Sequence, residues 1–148
     1  MGDVERVLAA NEAFYAAFAT RDVGVMDGLW SRRAPVACVH PGWQALFGRD
    51  AVMESWRDIM SNPNSPPIRC TRPIAHVVGG TAVVICTERF PGAELVATNV
   101  FVEEDGAWKL VHHQAGAIAR REQRHRPTGV VDGGVRRDDQ LGPTRATT

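Results

Sequence analysis

Four long strand-like segments joined by very short turns constrain the fold of this chain more than any other feature of the sequence. Gly79-Gly80, Pro91-Gly92 and Asp105-Gly106 separate these segments. Turns of this length join neighbouring antiparallel strands, and Asp-Gly is especially typical of a β-hairpin. We therefore predict an antiparallel sheet with four consecutive strands over residues 68–78, 81–90, 94–104 and 107–119.

The part of the chain before these strands predicts three helices. Over residues 3–20, apolar side chains recur mostly at three- and four-residue steps, which is typical of an amphipathic helix, and Asp3 is a candidate N-cap. A short second helix is predicted from Asp22, another N-cap candidate, to Trp30, and a third over residues 49–61. Residues 35–40 form a short strand-like run between the second and third helices. The sequence therefore predicts three helices and about five strands.

The order of the elements indicates one α+β domain over residues 1–119, in which helices pack on one side of a mostly antiparallel sheet. A chain of 148 residues can bury one hydrophobic core but not two. Residues 120–148 contain seven Lys and Arg against four Asp and Glu and few apolar residues. We expect this Arg-rich tail to be disordered, because it cannot bury enough surface to offset its ordering entropy.

Composition argues against several functional classes. Residues 1–119 contain ten Lys and Arg against thirteen Asp and Glu, so a nucleic-acid partner is not expected. No segment approaches the roughly 18 apolar residues of a membrane span, and no signal peptide is recognisable, so we expect a cytoplasmic protein without a membrane partner. Cys38, Cys70 and Cys86 form no C-x-x-C pair. No metal or nucleotide motif is present, and no cofactor is expected.

Both faces of the predicted sheet are apolar. Along the third long strand, Val96 and Val100 lie on one face, while Leu95 and Phe101 lie on the other. Three helices cover one face only, and a large exposed apolar face usually marks an interaction site. We therefore expect a homodimer formed through the outer face of the sheet. The alternative is that curvature of the sheet, or the tail, hides this face.

Two adjacent histidines in the last strand, His112 and His113, must point to opposite faces of the sheet. Only one of them can face a cavity under the helices. Strict alternation groups His112 with Leu110 and groups His113 with Val111. A purely structural role for both histidines is the alternative.

Five other residues are candidates for the wall of such a cavity. His40 and Trp43 flank a Pro-Gly turn, which could place both at the cavity mouth. Tyr15 on the first helix could donate a hydrogen bond, as an oxyanion stabiliser does. Glu88 lies in an apolar strand, and burial would raise its pKa towards that of a general base near neutral pH. Asn99 could orient a ligand. Each also fits a structural role.

Four motifs can be recognised together in this chain. They are His40-Pro41-Gly42-Trp43, Gly48-Arg49-Asp50-Ala51-Val52 leading to Ser55-Trp56, Thr98-Asn99-Val100-Phe101, and Asp105-Gly106-Ala107-Trp108-Lys109-Leu110-Val111-His112-His113. Together they resemble the SnoaL-like branch of the nuclear-transport-factor-2-like superfamily, and are similar to the association domain of calcium/calmodulin-dependent protein kinase II. The resemblance covers residues 3–119. It implies a cone-shaped α+β fold, in which a curved sheet wraps around the N-terminal helix and encloses a pocket, usually in a dimer through the sheet.

The resemblance also carries expectations for individual residues. It implies that Asn99 and His113 face the cavity and that His112 faces outward. In the kinase association domain that this chain resembles, an acid-binding arginine occupies the position of Asn99, so a carboxylate clamp is incomplete here. Steroid isomerases of the superfamily use a tyrosine on the first helix with two acids, of which this chain offers Tyr15 without a convincing acid pair. Polyketide cyclases use an inward acid or histidine, for which His113 or Glu88 is a candidate.

Three functional interpretations follow. The first is a homodimer that binds a small, largely apolar molecule in its cavity. The second is an isomerase or polyketide-cyclase-like enzyme without metal or nucleotide, in which His113 abstracts a proton and Tyr15 or Asn99 stabilises the enolate. The third is a purely structural association module whose cavity is filled by side chains. The residues expected to line the cavity are Tyr15, His40, Trp43, Trp56, Glu88, Asn99 and His113.

Overall fold

The computed structural model describes residues 1–119, so the tail predicted over residues 120–148 lies outside the described residues. Within this part of the chain, no helix is long and apolar enough to cross a membrane. The helices are α1 (Asp3–Thr20), α2 (Val23–Leu29) and α3 (Arg49–Ser61). The strands are β1 (Ala37–Val39), β2 (Leu46–Phe47), β3 (Arg69–Val78), β4 (Thr81–Phe90), β5 (Ala93–Glu104) and β6 (Ala107–Ala117).

The six strands form one sheet in the order β2-β1-β6-β5-β4-β3. The four long strands pair antiparallel with their sequence neighbours, which confirms the prediction made from the short turns. β1 pairs parallel with β6, placing Cys38 opposite His113. The two-residue strand β2, which pairs antiparallel with β1, was not predicted because it is too short to show an alternating pattern.

Of the two helix N-caps predicted from the sequence, one forms and the other does not. Asp22 caps α2 as predicted, since its side chain accepts a hydrogen bond from the Val25 amide at 3.0 Å. The prediction for Asp3 was wrong: α1 begins at Asp3 itself, with Gly2 in the N-cap position and no side-chain cap. Asp3 and Glu5 instead place negative charge in the first turn, where the helix dipole favours it.

A β-bulge in β6 changes which residues share a face. Val100 and Phe101 are consecutive in β5, but their partners in β6 are His112 and Leu110. Val111 is therefore the extra residue, and the alternation shifts by one position there. As a result Leu110 and His113 are both buried, whereas strict alternation had grouped Leu110 with His112.

The core lies between α1 and the face of the sheet that α1 covers, called here the inner face. One row of this face runs across three strands, because Val84 pairs with Asn99 and Asn99 pairs with His113. The neighbouring row contains Phe101 opposite Leu110. The largest buried apolar side chains packed in this core are Phe14, Met26, Trp30, Met53, Phe101 and Leu110.

Candidate functional site

A cavity of about 200 Å³ lies between α1, α3 and the inner face of the sheet. Its wall is mostly aromatic and aliphatic, with few polar side chains. The apolar lining residues are Phe14, Phe18, Pro41, Trp43, Trp56, Ile59, Pro66, Ile68 and Phe90. The lining residues with polar groups are Tyr15, His40, Ser65, Glu88 and His113.

The loop that follows α3 forms one side of the cavity mouth, and the Arg21 side chain fixes it to the end of α1. Its guanidinium donates hydrogen bonds to the backbone carbonyls of Met60, Asn62 and Ser65 at 2.8 to 2.9 Å. Trp43, which is 46% exposed, lies on the other side of the mouth. The mouth is thus formed by the loops after β1 and α3 rather than by the sheet.

A chain of buried hydrogen bonds links the cavity residues across four elements. His113 on β6 lies 2.5 Å from the side-chain oxygen of Asn99 on β5. The Asn99 amide nitrogen donates to the Tyr15 hydroxyl at 3.1 Å and also to Asn11 at 2.8 Å. The Tyr15 hydroxyl in turn donates to Glu88 on β4 at 2.8 Å. The chain of hydrogen bonds therefore runs from one wall of the cavity to the other, and of its cavity-side members Tyr15, Glu88 and His113 line the space while Asn99 lies behind them.

Glu88 is the most unusual member of this chain, because it is a carboxyl group only 2% exposed and has no Lys or Arg partner among residues 1–119. Burial raises its pKa, and the hydrogen bond from Tyr15 opposes that shift. Burial and the neighbouring Glu88 charge raise the pKa of Tyr15 far above its ordinary value. Tyr15 is therefore a neutral donor at physiological pH.

The two cavity histidines are both neutral. His40 Nε2 lies 2.8 Å from the Ser55 hydroxyl, and the imidazole rings of His40 and His113 are 6.3 Å apart. Burial lowers the pKa of His40 to about 4. Burial, with a smaller effect from His40, lowers the pKa of His113 to about 3. Neither imidazole ring is positively charged at neutral pH.

The structure brings six of the seven predicted residues to the cavity wall: Tyr15, His40, Trp43, Trp56, Glu88 and His113. Asn99 is fully buried behind His113 and does not reach the cavity. It positions the imidazole instead of touching the cavity space. His112 pairs with Val100 and is only partly buried, on the opposite face from His113.

Several contributing residues were not singled out from the sequence. Phe14 and Phe18 line the cavity beside Tyr15, and their four-residue spacing on α1 was a usable signal. Asn11, which accepts from Asn99, was detectable as the polar residue one helical turn before Tyr15. Ser65 and Pro66 carried no signal, because their position depends on how the loop after α3 is held.

No group of three His, Cys, Asp or Glu side chains that could hold a metal ion occurs within residues 1–119. The cysteines are free thiols, and Cys38 and Cys86 are buried. Burial, with a smaller contribution from the Glu88 charge, raises the pKa of Cys38 to about 12, so its thiol is not a nucleophile at neutral pH. The titratable side chains that line the cavity are those of Tyr15, His40, Glu88 and His113.

A domain in which a curved sheet, an N-terminal helix and an inner cavity are arranged in this way has the NTF2-like fold. The chain belongs to the SnoaL-like domain family, whose pattern matches residues 7–120. It is similar to a candidate dehydratase of the NTF2-like family from Streptomyces avermitilis, with 37% identity and a TM-score of 0.73. That match covers 79% of this chain and 96% of the other.

Two further relatives extend the comparison. A candidate calcium/calmodulin-dependent protein kinase type II association domain from Thiobacillus denitrificans is 30% identical, with a TM-score of 0.66, over 76% of this chain and 94% of that one. The F-box protein SKIP8 of Arabidopsis thaliana is 22% identical over 119 residues, which is 79% of this chain. The chain spans about half (52%) of the length of this curated relative.

The lowered pKa values of His40 and His113 predict a loss of stability in mild acid. The unfolded chain binds protons near pH 6.5 and the native protein does not, so the free energy of unfolding falls as the pH drops below about 6.5. Between pH 7 and pH 5 we expect a loss of about 2 kcal/mol per histidine. Urea unfolding at the two pH values measures it.

The matched variant for this measurement is His113→Gln, which removes one of the two histidines with a lowered pKa. Between pH 7 and pH 5, the free energy of unfolding of this variant should fall by about half as much as that of the unmodified protein. Glu88 acts in the opposite direction, since its pKa is raised, but it contributes equally to both proteins. An equal loss in both proteins would show that His113 is not held neutral by the fold.

Proposed function

We propose that this domain binds a small, largely apolar molecule in the cavity under α1. The observation that supports this proposal is an unfilled space of about 200 Å³ with a mainly aromatic wall and a mouth between two loops. Drug-sized ligands occupy pockets of roughly 300–1,000 Å³, and a dry cavity of about 150 Å³ can hold benzene. The size therefore favours a compact ligand, of about one ring, over a long chain or a polycyclic compound.

The alternative function, a purely structural association module, would require a cavity that is filled by side chains. The aromatic side chains instead stand around the space, with Trp56 packed edge-on against Phe14 and His40 at 5.4 and 4.7 Å. Trp56 thus supports the wall and leaves the interior open. This arrangement favours a binding function.

The cavity proposal predicts that filling the space abolishes binding. Ile59→Trp places a larger side chain at the cavity wall, so a small molecule that co-purifies with the unmodified protein should be lost. Native mass spectrometry of protein purified from its own source detects the bound mass. Val25→Trp, on the exposed surface of α2, is the matched control and should retain the ligand. Equal occupancy in both variants would contradict a ligand site in this cavity.

We also propose that the domain is a homodimer through the outer face of the sheet. Ile74 pairs with Ile85 across β3 and β4, so the two side chains share one face, and they are 60% and 45% exposed. Val96 on β5 is 45% exposed on the same face. A contiguous apolar surface of this kind is costly to leave in water, and a second copy of the same face would cover it.

The dimer proposal predicts that one charge on this face releases monomers. Ile85→Lys should shift the mass in solution from dimer to monomer at micromolar concentration, because a desolvated ammonium without a partner is strongly unfavourable. Light scattering after size exclusion measures the mass. Val25→Lys, equally exposed but on α2, should remain dimeric. A monomeric unmodified protein would contradict the proposal.

A second candidate function is a proton-transfer enzyme of the isomerase, cyclase or dehydratase type. One observation favours it: Glu88 lines the cavity with a raised pKa, which suits a general base at neutral pH. The pKa of about 3 makes His113 the weaker base, so Glu88 replaces it in this role. In a dehydration, the Glu88 carboxylate would take a Cα proton, the C–H electron pair would form the C=C bond as the C–O bond breaks, and the protonated Glu88 would return that proton to the leaving hydroxyl, which departs as water.

The enzyme hypothesis predicts turnover that rises with pH as Glu88 ionises. With compact β-hydroxyketones as substrates, Glu88→Gln should lower the rate by at least about a hundredfold, within the range general bases contribute. His113→Ala should affect binding more than the pH dependence. An unchanged pH profile in Glu88→Gln would exclude Glu88 as the base. The 37% identical Streptomyces protein, a candidate dehydratase, is the reason to begin with this substrate class.

A further inference from the structure

The direction of the buried hydrogen-bond chain determines which polar atoms the cavity presents to a ligand. An ionised Glu88 can only accept hydrogen bonds, so the Tyr15 hydroxyl must donate to it at 2.8 Å. With its proton committed, the Tyr15 oxygen can only accept from its remaining neighbours. The Asn99 amide nitrogen, at 3.1 Å, is such a donor. The carboxylate thereby fixes the orientation of the Asn99 side chain.

The orientation of Asn99 then fixes the tautomer of His113. The amide nitrogen of Asn99 is held by Tyr15 and by Asn11, so its oxygen faces His113 Nδ1. An amide oxygen has no proton to give, and Nδ1 must therefore carry the hydrogen. In a neutral imidazole the other nitrogen, Nε2, is left with a lone pair. Nε2 makes no hydrogen bond within residues 1–119, and the ring lines the cavity.

Hydrogen bonds within the protein also determine whether the other polar groups of the wall act as donors or as acceptors. The Ser55 hydroxyl donates to the Val52 carbonyl at 2.6 Å, so it accepts from His40 Nε2. His40 Nδ1 is then an acceptor, with the Cys38 thiol 3.9 Å away as its donor. The Ser65 hydroxyl donates to the Ile59 carbonyl at 2.6 Å. Glu88 contributes carboxylate oxygen. Acceptors therefore predominate on the described wall. Its remaining donors are the indole N–H groups of Trp43 and Trp56, of which that of Trp56 is buried without a partner within residues 1–119, and no Lys or Arg is among the described lining residues.

We infer that the ligand of this cavity carries a hydrogen-bond donor, an alcohol, phenol or amine group on a compact apolar body, which it donates to Nε2 of His113. A carboxylate or phosphate does not fit this wall, because the Glu88 carboxylate would repel it and no Lys or Arg among the described lining residues would compensate its charge. This inference rests on the proposed binding function and adds the chemical class of the ligand. It also assigns Asn99 and Tyr15 as positioning residues for His113.

The tautomer is tested directly, without any ligand. In ¹⁵N NMR, protonated and unprotonated imidazole nitrogens have well-separated chemical shifts, so the His113 signals report which nitrogen carries hydrogen. We expect the Nδ1-H form in the unmodified protein at pH 7. Tyr15→Phe keeps the ring but breaks the link to Glu88, and should give a mixture of both tautomers. An Nε2-H form in the unmodified protein would overturn the inference.

The ligand class is tested with four one-ring probes that differ in a single group: benzyl alcohol, benzylamine, benzoate and toluene. Calorimetric titration should show binding of the alcohol or the amine, binding of toluene, and none of benzoate. Tyr15→Phe should lower the affinity for benzyl alcohol relative to that for toluene by about three- to tenfold, which is the contribution of one net hydrogen bond. Phe18→Leu, which alters only the apolar wall, should change both affinities by the same factor.

The outcomes separate this inference from the proposed function. If toluene and benzyl alcohol both bind and Tyr15→Phe leaves the ratio of their affinities unchanged, the cavity binds ligands but the inference that the ligand carries a hydrogen-bond donor is overturned. Binding of benzoate in preference to the alcohol would overturn it as well. If none of the four probes binds, the proposed cavity function fails and the ligand class fails with it. If Tyr15→Phe does not fold, the NMR measurement on the unmodified protein still decides the tautomer.

Discussion

The hydrogen bond between the Tyr15 hydroxyl and the buried Glu88 carboxyl joins the helix to the sheet at the centre of this molecule. It is formed between residues 73 positions apart, and it is the connection through which Asn99 and His113 are oriented. A carboxylate in an apolar interior requires a donor, since its desolvation is otherwise costly. The requirement of one acidic group therefore links α1 to β4 and orients Tyr15, Asn99 and His113 along one part of the cavity wall.

The fold was predictable because its determinants are local. Gly79-Gly80 and Asp105-Gly106 fix neighbouring antiparallel strands whatever the rest of the chain does, and the apolar period of residues 3–20 fixes one helix face. Asp22 capped its helix as expected. The missed strand β2 has no such local determinant: its two residues become a strand only because β1 lies beside them, so it depends on the tertiary arrangement.

The candidate site was less predictable, because a bulge and a second layer of residues decide it. The extra residue Val111 places Leu110 and His113 on one face, which no strictly alternating pattern gives. The family resemblance implied an inward His113, while the residues alone left the choice open. The same resemblance implied an inward Asn99, and Asn99 does face inward, but Tyr15 and His113 lie between it and the cavity. Which inward residue reaches the space depends on side-chain packing, which strand periodicity does not encode.

The buried Glu88 carboxyl also reduces the stability of the domain. A carboxyl group 2% exposed, with one hydrogen bond and no cation beside it, lowers the stability of the native state compared with an apolar residue of similar size. Groups that are unfavourable to the fold and placed at a cavity wall are characteristic of functional sites. A ligand that donates a hydrogen bond, as proposed for this cavity, would add an interaction at the wall, since Nε2 of His113 makes no hydrogen bond within residues 1–119. Binding of such a ligand would therefore offset part of the stability that the buried Glu88 costs the empty domain.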